Sequence, residues 1–328
     1  MTVINGIEID DIEYNVNHTK NAIANNDPID DVLHVVCVIS NPAMFATRYI
    51  LAKQFLYRLQ FDSHIRVYVV ELSYGKQQYY ITDANDPRHL QLRGEHALWH
   101  KENMVNIGVK KLLPKQWKAM AWVDMDVEFE NNTWALDTLK ILNGHRDIVQ
   151  LYSHCIDMDK DESAMNVFSS FAFQYEKKQK YCINSKNFWH PGYAWAMTRK
   201  AYERIGGLYE YGLLGSGDYI MALSIINNGL KGVTPLSTDD YKNTILEFQR
   251  KMKTLRLGYV PGVIRHFYHG KKSDRKYAER WKILSDSEYS PNLHITRNCD
   301  GLLTPSVKCP PELLVKIKEY FYQRNEDN

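Results

Sequence analysis

Two aspartates one residue apart are the strongest chemical feature of the chain. An apolar run leads into Asp124 and Asp126, and we interpret Ala119–Phe129 as one β-strand that carries both. Side chains alternate along a strand, so both carboxylates are predicted to point to the same side. At an effective dielectric near 20 they would repel by ~4 kcal/mol. Mg²⁺ or Mn²⁺ between them would relieve that repulsion and leave positions for substrate phosphates. The alternative is a strand end with two solvated acids.

A second cluster contains His266 and His269, followed by Gly270, Lys271 and Lys272. Imidazole binds Mn²⁺ and Zn²⁺ as well as protons, so this pattern suits a site for a metal and a phosphate. The pattern leaves open which of the two histidines is the ligand. Ser273 is expected to cap a following helix, whose N-terminus would also favour anions. For the basic residues beyond 272, the alternative is a solvated surface helix.

The third candidate is Asp218, at the end of a glycine-rich turn over residues 213–218. A carboxylate at such a turn could reach an acceptor hydroxyl and remove its proton. The alternative is a cap for the helix that follows. The polar residues of segment 99–106 would meet a nucleotide or simply face solvent, and the pattern does not decide between these.

The elements that position these residues alternate between strand and helix. Leu33–Ser40 is apolar throughout, as is typical of a strand buried on both faces, and Asn41 and Pro42 are expected to cap and begin a helix. The other predicted elements are strands Ile65–Leu72 and Asp147–Tyr152 and helices Leu98–Leu113, Trp134–Leu142, Arg199–Ile205, Tyr219–Ile226 and Pro310–Tyr322. Residues 153–190 have no regular pattern and are interpreted as a mobile substrate loop. This alternation predicts an α/β fold with a mostly parallel sheet, which binds ligands at the carboxyl ends of its strands.

Composition excludes some classes of function. The 328 residues are 44% hydrophobic, and 41 basic against 39 acidic residues give a net charge of +2, which is no nucleic-acid signature. Five cysteines without a CxxC pair indicate free thiols, although a Cys299–Cys309 bridge would fit a secreted protein. No apolar stretch approaches the ~20 residues of a membrane helix, and the first residues lack a signal-peptide core. A glycan on the Asn131 sequon would crowd the aspartates. We therefore expect a soluble, cytoplasmic protein of bacterial or viral type.

Taken together, these segments resemble the GT-A glycosyltransferases, and among them the β-1,4-galactosyltransferase and polypeptide N-acetylgalactosaminyltransferase group. Asp124-Met125-Asp126 matches the DxD motif of that family. Segment 98–108, LWHKENMVNIG, resembles the family segment that precedes DxD, and Ile264-Arg265-His266 resembles the family's IRH segment. Residues 191–218 are similar to the segment that runs to the family's acidic WGWGGEDDD cluster. The resemblance covers roughly residues 33–285.

The resemblance implies roles for individual residues. Asp124 and Asp126 would bind Mn²⁺ (or Mg²⁺) and the donor diphosphate, with His266, or its competitor His269, as a further metal ligand. Asp218 falls on the family's catalytic base. The expected contacts to the nucleotide are Ser40, Asn41, Arg48, Lys101, Asn106, Asp124 and Lys271. Trp189, Tyr193 and Trp195 are candidates for stacking on sugar, with core packing as the alternative.

The implied activity is the transfer of a hexose or N-acetylhexosamine from a UDP-sugar to a hydroxyl of a glycan or another acceptor, with inversion. The implied fold is GT-A, Rossmann-like, with residues 1–30 as a polar lead-in. A single domain over 31–285 would divide into a nucleotide-binding half, 31–130, and an acceptor-binding half, 131–285. A helical extension over 286–328 would follow.

The sequence also departs from the family. Gly217, Asp218 and Tyr219 replace the acidic cluster, Val263 replaces a methionine ligand, and Gly212 and Leu214 replace the two tryptophans. The acceptor contacts therefore cannot be transferred. Two other classes remain open. A metal-dependent phosphoesterase would use the same acids and histidines, and an inactive carbohydrate- or nucleotide-binding protein would keep the fold without turnover.

Overall fold

The computed structural model describes residues 2–4, 6–9, 12–29, 32–182, 188–277 and 279–328. Parts of the expected lead-in and of the expected 153–190 loop therefore lie outside the described residues. The strands are β1 (Thr2–Ile4), β2 (Ile7–Ile9), β3 (Leu33–Ser40), β4 (Ile65–Tyr74), β5 (His89–Gly94), β6 (Ala119–Val123), β7 (Val127–Phe129), β8 (Ile148–Gln150), β9 (His154–Met158), β10 (Ala164–Ser170), β11 (Trp189–His190), β12 (Ala194–Thr198), β13 (Leu257–Tyr259), β14 (Val263–His266), β15 (Ile295–Arg297) and β16 (Leu303–Pro305).

The helices fill most of the connections between these strands. They are α1 (Val16–Asn25), α2 (Ala46–Leu59), α3 (Lys101–Leu112), α4 (Trp134–Leu142), α5 (Phe171–Glu176), α6 (Arg199–Ile205), α7 (Gly217–Ile225), α8 (Asp239–Met252), α9 (Glu279–Asp286), α10 (Pro291–His294) and α11 (Pro311–Gln323), with 3₁₀ turns at Gly229–Gly232 and Lys272–Arg275. Among the described residues, none of these helices has both the length and the apolar character needed to cross a lipid bilayer.

The expected α/β fold is confirmed. In the described part of the chain, the central sheet has seven strands in the order β13-β8-β12-β6-β3-β4-β5. Its pairs are parallel except for those that β12 makes with β6 and β8. Side chains of β3 alternate between the faces: Val35 and Cys37 pack with α2 and α4, whereas Val36 packs on the side of α3. Helices thus cover both faces, as a mostly parallel sheet requires.

Most of the predicted elements are confirmed, several to the residue. Strand β3 and helices α4 and α6 have the predicted bounds, and helices α7 and α11 agree within two residues. The prediction that Asn41 and Pro42 begin a helix is wrong, because Met44 has a left-handed φ of 59° and the helix begins at Ala46. Asn41 instead holds the turn: its side chain accepts from Phe45 N at 3.0 Å and donates to Phe45 O at 2.7 Å.

The described part of residues 153–190 is not an irregular loop. It contains β9, β10, α5 and β11, and β9 and β10 form an antiparallel pair. Strand β10 has four exposed residues followed by three buried ones, so it lacks the period-two alternation that would mark a strand in the sequence. Ser273 lies inside the 3₁₀ turn Lys272–Arg275 and caps no helix. The five cysteines, all within the described residues, are free thiols, so Cys299 and Cys309 form no bridge.

The strand predicted over Ala119–Phe129 is interrupted. Strand β6 ends at Val123, a turn contains Asp124 and Asp126, and β7 begins at Val127 in a different sheet. That second sheet has the order β11-β10-β9-β14-β7 in the described residues. The aspartates therefore occupy the passage between two sheets, and alternation along one strand does not govern where their side chains point.

Candidate metal centre

Strand register brings His266 to the aspartate turn. Strand β14 pairs antiparallel with β7, with His266 opposite Val127, and parallel with β9, with His266 opposite Asp157. The backbone N–H of Phe267 then donates to the carbonyl oxygen of Asp126 at 2.8 Å. Residues that are 140 positions apart in the chain thus become neighbours through ordinary backbone pairing.

Asp126, His266 and His269 form a cluster of potential metal ligands. Their ligand atoms all lie within 4.8 Å of one another. Asp126 Oδ2 is 3.0 Å from His269 Nε2 and 3.9 Å from His266 Nε2, and the two imidazole Nε2 atoms are 3.2 Å apart. Both histidine side chains are buried, so contacts within the protein fix their positions.

The chemistry of this donor set fits a divalent cation. One carboxylate and two imidazoles suit Mn²⁺ or Zn²⁺. Asp126 Oδ1 is buried and has no hydrogen-bond partner among the described residues, although buried carboxylate oxygens are normally satisfied. A metal ion in contact with this oxygen would satisfy it.

Asp157 orients the imidazole of His266, and sequence reasoning missed it. Its Oδ1 atom is 2.7 Å from His266 Nδ1, which leaves Nε2 directed at Asp126, and its Oδ2 atom accepts from the amino group of Lys272. A carboxylate behind a ligating histidine fixes the tautomer and the ring orientation. No local motif marks Asp157, since only the register of β9 against β14 brings it there.

Opposed effects set the pKa values in the cluster. Burial favours the neutral form of Asp126, but the hydrogen bond with His269 and the nearby positive charges outweigh it, so the pKa of Asp126 lies below its usual range. Burial also lowers the pKa of His266, against the raising effect of its bond with Asp157. A neutral imidazole beside an ionised carboxylate is the protonation state that a metal requires.

Asp124 is held by a different partner. Its carboxylate forms an ion pair with the amino group of Lys101, the first residue of α3, and its backbone N–H donates to Tyr193 O at 2.8 Å. Burial and the neighbouring Asp126 raise the pKa of Asp124 to about 6, against the lowering effect of Lys101. Within the described residues, Asp124 does not join the three-residue ligand cluster.

Asp218 lies in the same charged neighbourhood. It is the second residue of α7, after Ser216 at the cap position, and its Oδ1 atom accepts from Tyr219 N at 2.8 Å. Its charge acts on Lys101 and on Asp124. A Cβ at Gly192 would lie 2.9 Å from His190 Cε1 and 3.0 Å from Asp218 Oδ2, so the backbone after β11 passes close to the carboxylate.

Glu102 is a second buried acid that sequence reasoning missed. Gly217 covers it so closely that a Cβ there would lie 2.4 Å from the Glu102 carboxyl carbon. Burial raises the pKa of Glu102 to about 7, and the charge of Asp218 adds to that effect. A second group of charged residues therefore lies beside the cluster, and its members influence one another's pKa values: Lys101, Glu102, Asp124 and Asp218.

Ser40, Asn41 and Arg48, which were expected to contact the nucleotide at the end of β3, hydrogen-bond to other residues of the protein. Arg48 Nη1 donates to the carbonyl oxygen of Ser40 at 2.9 Å, and Arg48 Nη2 donates to Glu326 Oε1 at 2.8 Å. Asn41 is buried in the turn described above. Glu326 is also 3.6 Å from His269 Nδ1, so Arg48 is linked to the cluster through this one carboxylate.

Two other expected nucleotide contacts lie in different surroundings. Asn106 has all four hydrogen-bonding positions engaged, by the N–H and carbonyl of Leu208, by Tyr202 and by Glu210. It has no group left for a nucleotide. Lys271 is exposed two residues after His269, whereas Arg275 Nη2 reaches His269 Nε2 at 2.8 Å.

The aromatic candidates for sugar stacking are buried in the core. Trp189 and Trp195 lie on the α3 side of the central sheet, and Trp195 stacks on Trp122 with centroids 6.5 Å apart. Tyr193 has a φ of 79°, a strained conformation for a tyrosine, and its ring lies 4.6 Å from that of His266. Tyr193 therefore packs directly against a candidate metal ligand.

No protein-family model and no curated protein matches the sequence. Among solved structures, glucosyl-3-phosphoglycerate synthase from Mycobacterium tuberculosis, in complex with Mn²⁺, UDP and phosphoglyceric acid, is 12% identical, with 85% of this chain and 81% of that chain covered and a TM-score of 0.37.

Two further solved structures have similar values. A mutant of Drosophila β-1,4-galactosyltransferase 7, in complex with manganese, UDP-Gal and xylobiose, is 10% identical over 75% of this chain and 74% of that one, with a TM-score of 0.35. The 4-diphosphocytidyl-2C-methyl-D-erythritol synthase of Anaerococcus prevotii is 12% identical over 71% and 88%, with a TM-score of 0.33. At these identities, TM-scores below 0.5 carry no argument about activity.

Proposed function

We propose that the protein is a GT-A glycosyltransferase that uses a divalent metal, Mn²⁺ or Mg²⁺, and transfers a hexose or N-acetylhexosamine from a UDP-sugar. The acceptor is a hydroxyl of a glycan or another molecule, and the transfer proceeds with inversion. The observation that carries this proposal is the cluster of Asp126, His266 and His269, beside a separate group of acids that includes Asp218. In this cluster Asp126 Oδ1 has no hydrogen-bond partner in the described part of the chain.

In this proposal Asp126, His266 and His269 hold the metal, which supplies Lewis-acid stabilisation of the departing diphosphate. Asp157 keeps the imidazole of His266 in its ligating orientation. Lys101 neutralises Asp124, so that the passage between β6 and β7 does not present two unpaired carboxylates to an anionic donor. Arg48 and Arg275 contribute positive charge around the phosphates.

Asp218 is proposed as the general base. It accepts the proton of the acceptor hydroxyl as that oxygen attacks the sugar carbon and the bond to the diphosphate breaks. The sugar carbon has oxocarbenium character at that point, as in glycoside hydrolysis, so the stabilised leaving group and the base act together. The close packing of Gly192 on Asp218 limits the positions that this carboxylate can take.

Calorimetry with UDP, in the presence and absence of Mn²⁺, tests donor binding. We expect binding that requires the metal in the native chain and in Asp300→Asn, a half-exposed acid that pairs with Lys111 and serves as the matched control. We expect no metal-dependent binding in Asp126→Asn. Metal-independent UDP binding, or none at all, would contradict the proposal.

A UDP-release assay with a panel of UDP-sugars and acceptors then tests turnover. Release that depends on an acceptor supports the transferase. Binding without release on any acceptor favours the inactive, ligand-binding class. Release of phosphate from simple esters would favour the phosphoesterase. The composition of the cluster argues against that class, because the cluster contains one carboxylate whereas such enzymes usually have several.

A further inference from the structure

The segment of residues 325–328, which follows α11 and Arg324, lies against the candidate metal centre. Its Glu326 is buried, and the Glu326 carboxylate accepts from Arg48 and from Arg324 Nε, the latter at 2.6 Å. The same carboxylate lies 3.6 Å from His269 Nδ1. An anion of the chain itself is therefore placed beside a candidate metal ligand and is held by two guanidinium groups.

The next residue, Asp327, occupies the N-terminus of α2. Its two oxygens accept from the backbone N–H groups of Ala46 and Thr47, each at 2.9 Å. The first N–H groups of a helix have no partner within the helix and favour an anion. Two successive carboxylates of one segment thus fill two neighbouring anion-binding positions, the guanidinium of Arg48 and the start of α2.

The loop that carries His269 packs directly on this segment. Gly270 has a φ of 85°, and a Cβ there would lie 2.9 Å from Asn325 O and 2.9 Å from Glu326 Cα. Tyr320 OH donates to Arg275 O at 3.2 Å, which ties α11 to the same loop. The position of the segment and the position of the metal-ligating loop are therefore coupled.

The planar Nε–Nη2 edge of the Arg48 guanidinium is occupied in this arrangement. Its Nε and Nη2 atoms donate to Glu326 and its Nη1 atom donates to Ser40 O. A guanidinium recognises a phosphate and a carboxylate through the same planar pair of N–H donors, so at this edge one anion must leave before the other binds. A carboxylate beside His269 would also repel a diphosphate bound next to the metal.

We infer that Glu326 and Asp327 occupy the subsite for the two phosphates of a nucleoside diphosphate donor, and that the donor binds by displacing residues 325–328. This inference rests on the proposed function and deepens it. The phosphate-binding groups are Arg48, Arg324 and the start of α2. The carboxylates of Glu326 and Asp327 compete with the donor phosphates for these groups.

The test uses the full chain with saturating Mn²⁺ and inorganic pyrophosphate as the probe in calorimetry. In the double variant Glu326→Gln, Asp327→Asn we expect pyrophosphate to bind about tenfold more tightly than in the native chain, because the competing anions are gone. The matched control is Glu312→Gln, Glu319→Gln, which makes the same change in charge at two exposed residues of α11 and should leave affinity unchanged. Equal or weaker binding in the first variant would overturn the inference.

Two further measurements keep the outcome decisive. If the double variant loses affinity for Mn²⁺ alone, Glu326 is a metal ligand and the inference is wrong. In the native chain, hydrogen exchange of the 325–328 amides should become faster when Mn²⁺ and pyrophosphate are added. Slower exchange would mean that the segment closes over the ligand, which also contradicts displacement. This readout does not depend on the stability of any variant.

Replacing pyrophosphate with UDP separates the two claims. Tighter pyrophosphate binding in the double variant, with no UDP binding in any variant, would leave the displacement inference standing and remove the UDP-sugar transferase. Metal-dependent UDP binding of equal affinity in all variants would keep the transferase and remove the displacement.

Discussion

Two polar clusters, one at the passage between β6 and β7 and one on α3, differ in how completely their atoms are paired. In the first, Asp126, His266 and His269 meet at the passage between β6 and β7, and Asp126 Oδ1 and the nearby Arg275 Nε have no hydrogen-bond partner among the described residues. In the second, Asn103 and Asn106 bind segments 208–210 and 301–303.

The second cluster leaves no amide atom of its asparagines unpaired. Asn103 Nδ2 donates to Glu210 Oε2 at 2.8 Å and to Gly301 O at 3.1 Å, and Asn103 Oδ1 accepts from Leu303 N at 3.0 Å. Arg297 completes the pairing of Glu210. A fully satisfied buried network fixes a fold, whereas a partly satisfied one needs an explanation such as an ion or a ligand. This contrast separates the structural cluster on α3 from the proposed site, which α3 meets at Lys101 through Asp124.

The largest effect is expected for Asp126→Asn. Removing the one carboxylate of the ligand cluster should lower sugar transfer by about three orders of magnitude, or ~4 kcal/mol of transition-state stabilisation. The thermal midpoint without metal should also fall near neutral pH, because the ionised Asp126 carboxylate, whose pKa is held low by its hydrogen bond with His269, stabilises the folded state. Steady-state kinetics and thermal unfolding measure the two quantities. Full activity in this variant would show that the cluster of Asp126, His266 and His269 has no catalytic role, as we expect for the cluster of Asn103 and Asn106.

Asp218→Asn should rank second. Without a general base the transfer rate should fall by about 10²- to 10⁴-fold, while the affinity for UDP and Mn²⁺ stays near the native value. The measurement is kcat with saturating donor and acceptor, together with calorimetry on the same protein. An unchanged kcat would remove Asp218 from the mechanism and leave it as part of the first turn of α7.

Asp157→Asn should weaken Mn²⁺ binding by about ten- to a hundredfold, because the imidazole of His266 loses the carboxylate that orients it. Asp161→Asn, an exposed acid in the turn between β9 and β10, is the matched control and should bind the metal normally. Titration of Mn²⁺ by calorimetry measures both. Equal affinity in the two variants would show that Asp157 has no influence on the metal.

The smallest effect on binding, and a clear effect on stability, is expected for Asn106→Ala. Unpairing the N–H of Leu208 and the hydroxyl of Tyr202 should lower the free energy of unfolding by about 1–3 kcal/mol. The affinity for UDP and Mn²⁺ should not change. Denaturant unfolding measures the change in stability and calorimetry measures the affinity for UDP. A loss of UDP affinity without a loss of stability would indicate that Asn106 contacts the nucleotide.

The sequence predicted the elements better than it predicted the contacts. Strand β3 and helices α4 and α6 follow from local periodicity and caps, which are properties of short segments. The strand over Ala119–Phe129 was wrong because a sequence pattern does not show where a chain leaves one sheet and enters another.

The candidate site was partly predictable for a similar reason. Asp126, His266 and His269 have residue types that indicate metal binding wherever they lie. Asp157 and Glu326 carry no such motif. One is placed by the register of β9 against β14, and the other by contacts such as that with Arg48, 278 positions away. Only the folded chain brings them to the site.

The most direct test of the central claim is a crystal soaked with Mn²⁺ and UDP and measured near the manganese absorption edge. We predict one anomalous peak within about 2–2.5 Å of the Asp126 carboxylate and of the Nε2 atoms of His266 and His269, with the diphosphate of UDP against it. A crystal with UDP bound, and with no anomalous peak between these three side chains, would contradict the account.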